Sequence, residues 1–171
     1  MPGRASAALD RVGRLCPECL LGLALVDLLL CDDGAGSGGG ETLDGGAGTD
    51  WLNTTSFSSP YRVNLANGQT NFFFESFVNF ENIHSGSGND TLYGTADANA
   101  MSGNGGNDWI FGLDGNDVLS GGDGNDYLSG GNGNDWVSGG TGTDTLRGWD
   151  GNDTLRSSGL GQVYGDSGDD Y

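Results

Sequence analysis

The chain has 171 residues and a formal net charge of −18, carrying 24 acidic residues against 6 Arg and no Lys. Such acidity repels nucleic acids and anionic membrane surfaces, and makes divalent cations the natural counter-charge. With 35 Gly, and with Asp far in excess of Glu, long helices are disfavoured. Low hydrophobicity with high charge is also the composition of disordered chains, so only an ordered pattern along the sequence argues for a fold.

Residues 1–35 read as a leader or disordered segment. Arg4, Arg11 and Arg14 precede the apolar run "LLGLALVDLLL" at 20–30, which is interrupted by Asp27 and too short to cross a membrane. The outline is that of a signal peptide or, at "LLLC", of a lipoprotein cleavage site, but no small residue precedes Cys31. A leader, the remnant of an upstream domain and a mistranslated start stay open. "CPEC" at 16–19 is a single CxxC without a second pair, a weak sign of zinc or redox chemistry, and Cys31 has no evident mate.

Residues 36–53 read as two nonapeptides. Residues 54–84 interrupt them with an insert in which "YRVNL" alternates like a strand and "FFFESFVNF" is strongly apolar. With Asn67-Gly68 as a turn, the insert is expected to form a β-hairpin or a pair of strands packed against the roll. The only histidine, His84, reads as a surface or packing residue rather than a ligand.

From Ser85 to Arg156 a nine-residue period runs unbroken for eight units in the pattern G-x-x-G-N-D-x-(apolar)-x. Position four is Gly except at Asp97, and position six is Asp except at Asn99. Position eight is Leu92, Met101, Ile110, Leu119, Leu128, Val137, Leu146 and Leu155. The tail, 157–171, slips by one residue and reads as a degenerate or truncated repeat.

Each unit offers a short strand, x-apolar-x, and a six-residue turn in which Gly, Asn and Asp suit tight backbone geometry. An antiparallel meander is one solution, but strands with a single apolar residue each give it little core. A coil does better: two units make one 18-residue revolution, parallel strands pair with the coils above and below, and the position-eight side chains form an inward row. The expected fold is therefore all-β, a parallel β-roll or β-solenoid of 18-residue turns, with an inserted strand pair and a poorly ordered N-terminal segment.

In such a coil, position-six residues 18 apart share an edge about 4.8 Å from one another. Calcium takes oxygen ligands at about 2.3–2.6 Å, so one ion can bridge two such carboxylates with turn carbonyls completing its shell. One edge stacks Asp90, Asp108, Asp126 and Asp144; the other stacks Asn99, Asp117, Asp135 and Asp153. Asp50 holds the same position in the unit 45–53. Residues 85–156 hold eleven Asp, no Glu and two Arg, a net charge of −9 that bound calcium would offset. One aliphatic side chain per unit is too small a core to order so glycine-rich a chain, so metal binding and folding should be coupled.

"GGDGNDYLS" (121–129), "GGNGNDWVS" (130–138), "GGAGTDWLN" (45–53) and "GGTGTDTLR" (139–147) resemble the G-G-x-G-x-D-x-U-x nonapeptides of RTX proteins, the haemolysin-type calcium-binding repeats. "FENIHSGSGNDTLYG" is similar to the lead-in before many such arrays. The resemblance implies a parallel β-roll in which position-six Asp and turn carbonyls hold calcium between turns. It also implies export by type I secretion, unfolded, with folding outside the cell. Glu41 at position six of 36–44 and Asn99 depart from Asp and are the weaker candidates. Ser85, Asn104, Leu113 and Trp149 stand where the repeat has glycine. The secretion signal that follows such arrays is missing, since the chain stops within "GDSGDDY", so a fragment is expected.

No HExxH zinc site or GxSxG elbow is present. "GDSG" at 165–168 sits in the repeat register, and Gly34-x-Gly36-x-x-Gly39 is an accident of glycine content. The reading is a non-enzymatic calcium-binding module of a secreted protein, without nucleic-acid partner or membrane span. The alternatives are the C-terminal part of an RTX toxin, protease or lipase with its activity upstream, and a surface adhesin repeat. In the last, Trp109 and Tyr127 at position seven would engage a glycan or cell-surface partner, where cross-strand packing is the plainer reading.

Overall fold

A computed structural model describes residues 28–29, 41–55, 57–71, 75–159 and 161–171. The leader, with CPEC, Cys31 and most of the apolar run 20–30, lies outside the described residues apart from Leu28 and Leu29. Among the described residues there are strands and turns and no helix. The early strands are β1 (Leu28–Leu29), β2 (Glu41–Asp44), β3 (Trp51–Asn53), β4 (Arg62–Asn64), β5 (Gln69–Thr70), β6 (Glu75–Val78), β7 (Asn82–His84) and β8 (Thr91–Tyr93). The later ones are β9 (Ala100–Gly105), β10 (Trp109–Asp114), β11 (Val118–Asp123), β12 (Tyr127–Asn132), β13 (Trp136–Thr141), β14 (Thr145–Asp150), β15 (Thr154–Arg156) and β16 (Gln162–Ser167).

These strands form two sheets, ordered β1-β3-β7-β9-β11-β13-β15 and β16-β14-β12-β10-β8-β4-β5-β6-β2. Through the array, successive strands alternate between the sheets, which makes the chain a parallel solenoid. Register confirms the 18-residue revolution: Ile110 pairs with Leu128, and Leu119 with Val137. In the tail the step shortens to 17, with Leu146 opposite Val163. The core is the predicted inward row, with Leu92, Met101, Ile110, Leu119, Leu128, Val137 and Leu146 buried.

The expected strand length was too short. Between β9 and β14 each strand has six residues, because positions one to three pair with the next coil as positions seven to nine do. Leu113 pairs with Gly131 and Asp114 with Asn132, leaving only a three-residue turn at positions four to six. Glycine makes this possible. At Gly124 φ is 141°, and a Cβ there would run into the Gly106 carbonyl one coil below.

The insert forms an antiparallel strand pair that is built into the larger sheet. Its β4 and β5 are antiparallel around a turn at 65–68, but β4 continues the sheet alongside β8, with Val63 opposite Leu92. Likewise β7 pairs with β9 at the 18-residue step, Ile83 opposite Met101, so the coil begins before Ser85. Tyr61, Val63, Leu65, Phe77 and Phe80 are buried and extend the core below the array. His84 stacks on Trp51 with ring centroids 4.3 Å apart.

Candidate metal centre

Position six closes each three-residue turn, and the reason for its strict residue type is visible in the hydrogen bonds. The Asp90 amide donates to Asp108 Oδ1 at 2.7 Å, Asp108 to Asp126 at 2.8 Å and Asp126 to Asp144 at 3.1 Å. On the other edge the amides of Asn99, Asp117 and Asp135 donate to Oδ1 of Asp117, Asp135 and Asp153, each at 2.8 Å. A carboxylate oxygen thus clamps each coil to the one before it. The Asn at position five works in the opposite direction: Asn89 Oδ1 accepts the Asn107 amide, and Asn107 Oδ1 the Asn125 amide, both at 2.7 Å. The Asn at position five and the Asp at position six therefore bond between coils. The left-handed conformations fall at positions two and four instead.

Only half of each carboxylate is used. The Oδ2 atoms of Asp108, Asp117, Asp126, Asp135, Asp144 and Asp153 are buried without a hydrogen-bond partner. Leaving a buried carboxylate oxygen unmatched is expensive, and a bound ion or water is one way to match it. Each of these atoms faces the position-one glycine five residues earlier, where a Cβ would collide with it, as at Gly103, Gly112 and Gly121. An added Cβ would also meet the position-one carbonyl of the following coil, 2.8 Å away at Gly121 for Gly103 and 2.6 Å away at Gly130 for Gly112. Carboxylate and carbonyl oxygens thus converge on a cradle that only glycine leaves open, which is the donor set calcium selects. Among the described residues no three His, Cys, Asp or Glu side chains converge, so an ion held here takes main-chain oxygens beside the carboxylates.

Electrostatics agrees with that donor set. Burial is the largest influence on these groups and pushes Asp108 and Asp117 up to about 7 and Asp126 up to about 6. The backbone amide each accepts pulls the other way, and nearby Asp carboxylates, in the row and beside it, add to the rise. Asp135 and Asp153 are also raised, for the same first cause. A row of carboxylates held this way is short of positive charge.

The remaining sequence candidates are placed differently. Asp90 is buried, but its Oδ1 accepts the Tyr61 amide at 2.7 Å and its Oδ2 the Ser85 hydroxyl. Asn99 Oδ1 accepts the Thr95 amide at 2.6 Å while its Nδ2 donates to the Glu81 carbonyl at 2.7 Å. Asp50 is buried on the second edge, and its amide donates to Glu81 Oε2 at 2.8 Å. Glu41 lies in β2 with its backbone opposite Glu75.

Two residues belong to the row that the sequence reading did not include. Glu81 occupies position six of the unit 76–84, which lacks glycine and so hid its register; Ile83 at its position eight was the available signal. Asp170 accepts the Asp153 amide at 3.0 Å and faces Gly165 as the other Asp residues face their glycines. Gly165, Gly168 and Asp170 keep positions one, four and six once the one-residue slip is allowed.

The outer face of the larger sheet carries aromatic rings. Trp109 and Tyr127 approach to 5.4 Å between centroids, and Tyr93 and Phe111 stack at 4.9 Å. An open trough of about 960 Å³ is lined by Phe111 and Tyr127 together with Leu113, Gly130, Gly131 and Trp149. Trp149 Nε1 donates to Ser129 Oγ at 2.9 Å, and Arg147 lies over its ring while pairing with Asp166 at 3.1 Å.

The sequence profile of the RTX calcium-binding nonapeptide repeat matches four stretches, residues 35–55, 80–110, 102–137 and 129–159, more than half of the chain. No curated protein matches it.

Proposed function

The chain belongs to the RTX calcium-binding nonapeptide repeat family, and on that premise we propose that it is the calcium-binding β-roll module of a secreted protein, folding outside the cell as calcium binds. The repeat roll is a structural calcium-binding module, and the chain is read as non-catalytic. The observation that carries the proposal is the set of six buried, unpartnered Oδ2 atoms, each beside a glycine cradle. Asp108, Asp117, Asp126, Asp135, Asp144 and Asp153 would supply those oxygens, and Asp170 would extend the row. Calcium, when bound, supplies the positive charge that the stacked carboxylates lack. The protein's own contribution is to fix each Oδ1 on a neighbouring amide, so that in the coiled chain Oδ2 is held toward the ion.

Secretion in unfolded form follows the same logic. Where calcium is scarce the carboxylate rows oppose coiling, and where it is plentiful they favour it. The test is a calcium titration of the chelated protein followed by far-UV circular dichroism. β-Structure should rise cooperatively by about 10⁻³ M calcium, the range of extracellular modules. A spectrum unchanged through that range would sink the proposal.

A second reading, a surface that also engages a glycan or cell-surface partner, is favoured by the trough. Leu113 and Trp149 hold φ values of 86° and 78° where the repeat has glycine, and backbone strain of that kind collects at functional sites. Glycan-array binding lost in Trp149→Ala, with the calcium response intact, is its expected signature.

A further inference from the structure

The structure assigns the first coil of the array, residues 85–102, a closure made by protein groups alone. Ser85 fills the place that calcium would take higher up, and Asn99 lacks the charge to hold an ion there, so the ion row begins at Asp108 and Asp117. This rests on the calcium reading above and goes beyond it by saying where binding starts and which residue decides it.

On the first edge the deciding difference is one hydroxymethyl group. At Gly103, Gly121 and Gly139, position one is bare, and the Oδ2 atoms of Asp108, Asp126 and Asp144 are buried without a partner. Position one of the first unit is Ser85, which is fully buried. Its Cβ fills the cradle and its hydroxyl donates to Asp90 Oδ2. Since Oδ1 already accepts the Tyr61 amide, both oxygens of Asp90 are satisfied by the chain. An ion there would have to displace a buried hydroxyl and then find no room.

On the second edge Asn99 achieves the same end by losing its charge. Its amide is engaged at both ends, with Thr95 and with the Glu81 carbonyl, and it offers no anionic oxygen. Both closures sit where the coil meets the insert: the Ser87 amide donates to the Phe57 carbonyl at 3.0 Å, and a Cβ on Gly86 would collide with that carbonyl. The coil that rests on an apolar base is thus itself independent of metal. It gives the first calcium-dependent coil a formed platform to stack on.

Counting ions tests this. Calcium stoichiometry is measured by isothermal titration on the full chain and on Asp90→Asn, Ser85→Gly and the double variant. Asp90→Asn should bind as many ions as the unmodified chain. Ser85→Gly, which only restores the glycine of the higher coils, should bind one more, and the double variant should return to the original number. Loss of one ion in Asp90→Asn alone overturns the inference while leaving the calcium reading standing, and so does a folded Ser85→Gly that gains none. Absence of calcium binding in every variant overturns the calcium reading itself.

Discussion

The insert-bearing base and the repeat array close the same solenoid by different means. In the base, Phe57 stacks on Tyr61 at 5.5 Å between centroids and Phe77 meets Phe80 edge-on at 6.3 Å, so bulky rings fill the space between sheets. In the array each unit contributes one aliphatic side chain, and the turns are lined with buried carboxylates. The base is held by area removed from water, which needs no partner. The array buries charge, which needs one. On the proposed reading, one topology is calcium-independent at one end and calcium-dependent at the other, with Ser85 and Asn99 at the join.

The largest effect that would break this contrast is the removal of calcium. In chelator near neutral pH, amide hydrogen exchange should quicken through 103–156 and change least in strands β3, β4 and β7. Uniform loss or uniform retention of protection would show that base and array do not differ.

Proton uptake should partly replace the metal. The carboxyl groups of Asp108, Asp117 and Asp126 are raised to about 7, 7 and 6, above an unfolded value of about 3.9. Between these limits the folded array binds more protons than the unfolded chain, so its metal-free stability is greatest near pH 4 and falls as pH rises to 7. The chelated protein should show more β-structure by circular dichroism at pH 4.5 than at pH 7.5. In calcium the order should reverse, because the ion needs ionised ligands. Equal spectra in chelator at the two pH values would mean that the carboxylates are not what opposes coiling.

Core truncation sharpens the contrast on a smaller scale. Leu128→Ala, at a fully buried position in mid-array, should cost about 2–5 kcal/mol and raise the calcium concentration needed for folding. Phe77→Ala should cost about 3–5 kcal/mol and lower thermal stability in calcium and chelator alike. A Leu128→Ala chain with an unchanged calcium midpoint would uncouple packing from metal in the array.

The smallest effect expected is at Leu113, whose φ of 86° is costly for a residue with a Cβ. Leu113→Gly relieves about 1–2 kcal/mol of that strain, less about 0.5–1 kcal/mol from the added freedom of the unfolded chain. Its partly exposed side chain gives up little packing. Thermal melting in calcium should show a modest gain. A clear loss would mean that the Leu113 side chain contributes to the trough more than its exposure suggests.

Much was legible in the sequence because a solenoid is nearly one-dimensional. A nine-residue clock with one apolar position fixes the pairing register, the inward row and the stacking of residues 18 apart, since each coil contacts only its neighbours. The row from Asp108 to Asp153 followed from counting alone. What counting could not reach was side-chain detail between coils. That Asp uses Oδ1 on a neighbour's amide and leaves Oδ2 bare depends on the turn's three-dimensional path. So does the extension of the strands through positions one to three, which requires glycine carbonyls and amides to meet across coils. Glu81 and Asp170 were hidden because the repeat around the first lacks glycine and the second sits after a one-residue slip. The contact of Tyr61 with Asp90 joins residues from an irregular insert whose placement no period dictates. Periodicity specifies what repeats; how the ends of the repeat are closed is decided by tertiary packing, because there the neighbouring coil is replaced by chain of a different kind.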